Sequence, residues 1–503
     1  MAALWTWPDA VGAATLVRAD TSRFVAIFGG WGFRLLALAA LVPAVARHWG
    51  IDGAALVLWA GLAEVALVAV LQPWAGAVAA RVRALAATGD VARLGRTTGT
   101  VLAAGAGGTA LATLLVVGLA DRLGAQLCQY AQHPEQMATA VPLLGLELAL
   151  LPLAVTMVAL AHGFVGPRLT DRLRGWLGLG AVAALGLATL GIGVQMWASV
   201  CLGGSLAAVL WLGVVLVRKG AGRGLGLAWA ELRAVVPAVA HVPSEANLWN
   251  LPVMAAVLLL AVQLGVASHF ADLALTSMAL ALGTWGSDVR ERMAPAIDAA
   301  GAIDDPYRLR WRFGRHLDAA NLVAVGMVVI LLCYLGLASR LWLARLGPVA
   351  APTQWLALWA AGVAPSTVLG AQLVRQDRGR MRLLVHVGEL VAVVVTNGLA
   401  GGNALGAALA SALAVRVVLL LVLAFPAICR HFRISYVRMT VGMVWRFALT
   451  ALPAAATGTT FAFVKPPTTA REWALQLCIV GILYAVPAFT AWNLLDTRRN
   501  ERA

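Results

Sequence analysis

FVAIFGGWGFRLLALAALVPAV, residues 24–45, places apolar side chains on every side of a helix and a single arginine, Arg34, near its middle. At 1.5 Å per residue the stretch covers about 33 Å, enough to cross the hydrocarbon core of a bilayer. Comparable runs recur along the chain, separated by short arginine-rich breaks. Of the 503 residues, 61% are hydrophobic and 12% charged, and the mean hydropathy is +0.84. Backbone N–H and C=O groups cannot stay unpaired in lipid, so the spans must be helices or a closed barrel. The short alternating segments of a barrel are absent. The sequence therefore predicts an all-α, polytopic membrane protein.

Fourteen transmembrane helices are expected, near 24–46, 54–78, 98–119, 141–163, 176–196, 198–217, 249–268, 271–290, 316–337, 351–373, 382–400, 403–425, 441–463 and 473–494. The fifth and sixth, and the seventh and eighth, form hairpins with almost no loop. Orientation follows from the basic breaks. With a cytoplasmic N-terminus, the inner segments collect RVRALAATGDVARLGR, RLTDRLR, RKGAGRG, RLRWRFGR, RQDRGRMR, RHFRISYVR and the tail RRNER. About 29 of the 38 Lys and Arg then lie inside, as the positive-inside rule requires. Both termini are expected in the cytoplasm. Basic loops facing anionic lipid also account for most of the net charge of +15 without nucleic acid as a partner.

The opening segment MAALWTWPDAVGAATLVRADTSR lacks the basic start and compact apolar region of a cleavable signal, and its Trp5 and Trp7 read as interfacial anchors. Cys128, Cys201, Cys333, Cys429 and Cys478 lie far apart with no metal-ligand spacing and read as small core residues. Composition rich in Ala, Arg and Trp suggests a GC-rich bacterial genome, and hence the cytoplasmic (inner) membrane.

Weak internal similarity divides the chain. The breaks RHWGIDGAALVLWAGLA and VQLGVASHFADLALTSMALA resemble each other, as do CLGGSLAAVLWLGVVLVRKG and NALGAALASALAVRVVLLLV. We therefore expect residues 1–220 to form one six-helix lobe, 235–430 a second in the same orientation, and 441–495 an added pair. Pro43, Pro73, Pro152 and Pro365 fall inside spans and are candidate kinks.

Ionisable groups at membrane depth mark the candidate site, since a charge at the bilayer centre costs about 2.5–3.5 kcal/mol or more and should face protein or water. Arg34 lies roughly 18 Å, and Glu64 on the returning span roughly 15 Å, from the same surface. The agreement in depth points to an Arg34–Glu64 pair. Glu389 on span eleven and Arg416 on span twelve are again level, roughly 10–14 Å from the inner surface. Glu147 stands by itself on span four, roughly 9 Å below the outer surface. Arg290 falls at the inner end of span eight. His386 and His316, near inner ends, read as interfacial residues.

The sequence has no GxxxxGK[ST] loop, no HExxH and no long hydrophilic domain, which argues against an enzyme and leaves a transporter driven by an ion gradient, or a scramblase. The six-plus-six-plus-two plan, the block GGNALGAALASALAVRVV, the basic stretch CRHFRISYVRM and the segment RERMAPAIDAAGAIDDPYRLRWRF resemble the multidrug/oligosaccharidyl-lipid/polysaccharide (MOP) exporter superfamily, within it the polysaccharide flippase branch. That resemblance implies alternating access between two lobes and a polyprenyl-diphosphate-linked oligosaccharide as cargo. Arg34, in FRLL, matches the arginine that lipid II flippases carry on their first helix. Span two here offers Glu64 where those relatives have a further arginine, which favours another polyprenyl-linked glycan over lipid II. The resemblance further implies a tail-guiding groove at spans thirteen and fourteen, a monomer sufficient for transport, and work beside a glycan polymerase or export machinery. It implies no cofactor, although an H+ or Na+ gradient is a fitting drive. Two other readings stay open: an ion-coupled exporter of amphipathic cations using Glu64, Glu147 and Glu389, and a non-transporting scaffold with its charges mutually paired.

Overall fold

A computed structural model describes residues 33–129, 131, 134–165, 193–222, 224–239, 246–299, 306–343, 353–400 and 405–500. Long apolar sequences with intrahelical bonding leave helix as the dominant element. The helices are α1 (Phe33–Thr88), α2 (Val91–Leu127), α3 (Pro134–Val165), α4 (Val194–Arg218), α5 (Trp229–Val239), α6 (Ala246–Leu264), α7 (Phe270–Ala299), α8 (Pro306–Leu343), α9 (Thr353–Arg375), α10 (Gly379–Ala400), α11 (Leu405–Val417), α12 (Phe425–His431), α13 (Tyr436–Val464) and α14 (Ala470–Asn500). A π-helical turn, Val418–Ala424, joins α11 to α12. Among the described residues, nine helices are long and apolar enough to cross a membrane, so the chain is a multi-pass membrane protein. Every expected span but the fifth falls on a described helix, the first from Phe33 onward. The fifth, 176–196, lies outside the described residues except for its final turn, as do the glycine pairs 29–30 and 401–402.

α1 holds two of the expected spans. Its limbs are broken only at Gly50, where a φ of +73° kinks the chain, a conformation that glycine adopts without steric cost. On that side of the bundle, Gly53 packs against Val194, and the rings of Trp49 and Trp197 lie 6.1 Å apart. At the other end Gly163 packs on Val82, and the side chain of Asp90 accepts from the N–H of Arg93 to cap α2. Near the start of α8, the ring of Phe313 stacks on that of Phe432, just after α12.

The largest apolar core is continuous from the second limb of α1, through Leu127 and Leu144, into α6, α7 and α9. Polar contacts between helices stand in for the missing hydrophobic drive within lipid. Asn250 donates to Thr284 at 3.3 Å, Asn397 to the carbonyl of Ala256 at 3.3 Å, and the hydroxyls of Thr396 and Ser411 meet at 2.9 Å. α13 and α14 pack together on α8, where Tyr484 donates to the carbonyl of Leu322 and its ring fills the space left by Gly326.

Candidate functional site

The kink at Gly50 sets the register of the first hairpin. Arg34 stands about 24 Å along the helix from Gly50 on one limb, and Glu64 about 21 Å on the other, so the two positions are level within one helical turn. The side chains of Arg34 and Arg290 lie outside the described residues, and with them the Arg34–Glu64 contact expected from depth.

Glu64 on α1 and Glu147 on α3 interact electrostatically, which the spacing did not indicate. Ser205, one turn beyond Cys201, donates to Glu147 Oε1 at 3.2 Å. All four side chains are half-buried. Glu147 therefore is not solitary: a hydroxyl from α4 bonds it.

The second half holds a different arrangement. Arg416 on α11 donates from Nε to Glu389 Oε1 at 2.6 Å and from Nη2 to Glu389 Oε2 at 3.2 Å. Nη2 also bonds the main-chain oxygen of Trp249. The guanidinium lies over the Trp359 ring, 3.9 Å from its centroid, and 5.4 Å from that of Trp249. Glu389 is 0% exposed and Arg416 3%. A forked cation between two aromatic faces, with a bidentate carboxylate, satisfies a buried charge through both cation–π and hydrogen-bonding terms. His386, one turn before Glu389, is not interfacial: it is 5% exposed and packs against Trp249 at 4.3 Å between centroids. The π-helical turn begins directly after this cluster. Such wide turns concentrate at functional positions.

A third cluster was not singled out from the sequence. Glu231 on the short helix α5 accepts from Arg81 at 3.0 Å, Arg93 at 2.7 Å and Thr97 at 3.0 Å. Burial pushes its carboxyl upward, but these three donors outweigh it and hold the group below the usual carboxylate range. Beside it the N–H of Ala228 donates to Thr100 at 2.9 Å, and Gly226 lies so close to Gly99 that a Cβ there would stand 2.5 Å from its carbonyl oxygen. The segment from Gly226 to Glu231 is thus clamped onto α1 and α2. Among the described residues no group of three metal-ligating side chains converges.

On the Gly50 side a second contact ties the halves. The N–H of Val266 donates to the carbonyl of Leu127 at 3.1 Å, and Gly265, at φ +81°, passes within 2.3 Å of Gln129 O measured from an ideal Cβ.

This arrangement was compared with known proteins. No protein family and no curated protein matches the sequence. Among solved structures, the lipid II flippase MurJ in an inward closed conformation aligns over 95% of this chain and 99% of its own, with a TM-score of 0.57 and 10% sequence identity. The chain shares the fold of that structure. Two MATE transporters also align: an inward-facing multidrug resistance MATE transporter of the MOP superfamily over 92% of this chain and 94% of its own (TM-score 0.43, 12% identity), and a eukaryotic MATE transporter over 96% and 99% (TM-score 0.33, 13% identity).

Within this fold the six residues marked from the sequence fall into three sets. Glu389 and Arg416 are bonded to each other, Glu64 and Glu147 are neighbours, and Arg34 and Arg290 are placed by backbone alone. Glu231, Trp249, Trp359 and Ser205 escaped notice for separate reasons. Glu231 sits in an ordinary amphipathic segment; the tryptophans lie in apolar runs where 19 such residues compete; Ser205 is one small residue among many.

Proposed function

We propose that the chain is a flippase that moves a polyprenyl-diphosphate-linked oligosaccharide, a precursor of cell-surface polysaccharide, across the bacterial inner membrane by alternating access. The observation that carries this reading is the fold shared with the lipid II flippase MurJ over nearly the full length of both chains. In this reading Arg34 receives the diphosphate at mid-depth, where water is scarce and a permanent forked donor suits phosphate oxygens. Glu64, level with it, holds the guanidinium between cargoes. The sealed Arg416–Glu389 pair fixes the packing of the second half and does not meet cargo. Both termini lie in the cytoplasm, one copy suffices, and a polymerase or export complex takes the delivered glycan.

The test is complementation of a glycan-export defect. R34A abolishes export and R34K restores part of it, because ammonium keeps the charge but loses the fork. Undiminished export by well-folded R34A overturns the reading.

The Glu64–Glu147 neighbourhood favours one second reading, an exporter of amphipathic cations driven by an H+ or Na+ gradient. There E64Q and E147Q abolish transport, and Arg34 is dispensable.

A further inference from the structure

Between α1, α2 and α3, toward the Gly50 side, lies a cavity of about 330 Å³ walled almost wholly by carbon. Its inner wall is formed by Leu127, Val141 and Ala149, all buried, and its rim by Leu67, Val70 and Leu115, all exposed on the apolar flank of the bundle. The opening is therefore lateral, into hydrocarbon.

The floor is closed. Trp74 Nε1 donates to Thr156 Oγ1 at 3.2 Å, tying α1 to α3. Just below the cavity α2 meets α3 through glycines: a Cβ at Gly105 would stand 2.8 Å from Thr156 Oγ1, and one at Gly108 3.2 Å from Pro152. From Val141 at the top to Pro152 at the floor the α3 wall rises about 16 Å, half of the roughly 30 Å hydrocarbon core. The roof includes Leu127, whose carbonyl accepts from Val266 in the other half of the chain.

We propose that this cavity binds one acyl chain of a phospholipid drawn from the leaflet on the Gly50 side. The carbon walls exclude a headgroup or an ion, which would lose its hydration without a partner. The height fits a chain confined to one leaflet, whereas a polyprenyl chain able to cross both leaflets would have to leave through the rim. The occupant touches Leu127 and so packs beneath the contact that joins the two halves. This inference is independent of the cargo and holds for either reading above.

The experiment uses the full chain in vesicles of palmitoyl-oleoyl phosphatidylethanolamine and phosphatidylglycerol, doped with a phospholipid bearing a diazirine at the end of one acyl chain. After irradiation, adducts are mapped by peptide mass spectrometry. They should concentrate on 112–127 and 141–152 over the lipid-facing residues Leu210, Val214 and Val217 of α4. Filling the cavity with A112F and A120F should lower labelling there about tenfold and leave α4 unchanged. Even labelling of both regions, or unchanged labelling in a folded filled variant, overturns the proposal. If the double variant fails to fold, the wild-type adduct distribution decides. In a second arm a polyprenyl phosphate carries the same diazirine; its preferential capture by these segments would reject the phospholipid as occupant.

Discussion

Arg416 and Glu389 form a bidentate pair, with Nε 2.6 Å from Oε1, in which both side chains are buried and the guanidinium rests on the face of Trp359. Charge in such a place is tolerated only while both partners remain. This separates the C-terminal half, where opposite charges cancel, from the N-terminal half, where Glu64 and Glu147 share one neighbourhood.

Removing one partner of the pair should therefore do more harm than removing both. E389L or R416M should each cost about 3–5 kcal/mol, and the two together appreciably less than the sum. Thermal unfolding of the purified variants in one detergent measures this. Additive single and double effects would show that the pair contributes no coupling.

Glu231 should make stability sensitive to acid. Its folded value lies below the ordinary 4.5, so its contribution is fully present above that pH and is lost as pH falls through the lower folded value. E231Q should lower stability by about 1–3 kcal/mol at neutral pH, because two arginines lose their shared acceptor. The gap between wild type and E231Q should close in scans carried below pH 4.5. A gap that persists to the lowest pH would assign the loss to packing.

Gly265 should resist even alanine. Its φ of +81° and the 2.3 Å approach to Gln129 O leave no room for a Cβ. G265A should weaken the Val266–Leu127 contact and cost about 1–2 kcal/mol from backbone strain by itself. Hydrogen exchange at the Val266 amide reads the effect: faster exchange is expected, and an unchanged rate would place the strain elsewhere.

The acidic neighbourhood discriminates between cargo readings. For a flippase, E64Q and E147Q should each retain most export while R34A does not. For a cation exporter the order reverses. Parallel transport measurements on the three variants decide, provided surface expression is matched.

The positions of the helices were readable because membrane thickness and backbone pairing leave so few choices for an apolar run of this length. Glu389 and Arg416 were readable as a pair because adjacent antiparallel spans bring equal depths together. The same depth argument aimed Glu64 at Arg34 without revealing Glu147, since equal depth says nothing about which helices are neighbours. Glu231 was hidden for a related reason. Its partners Arg81, Arg93 and Thr97 are more than a hundred residues away, and nothing local in WAELRAVV distinguishes a clamp from a solvated face. The carbon-walled cavity is less legible still, being a shape left between α1, α2 and α3.

The sequence by itself determined that this chain crosses a membrane many times as helices, and how deep each charged residue lies, because hydrocarbon imposes a length and forbids unpaired backbone. Only the tertiary structure decided which charges meet. Lateral packing of apolar helices is set by small residues and shape, as at Gly105, Gly108 and Gly326, and those contacts leave no periodic trace along the chain.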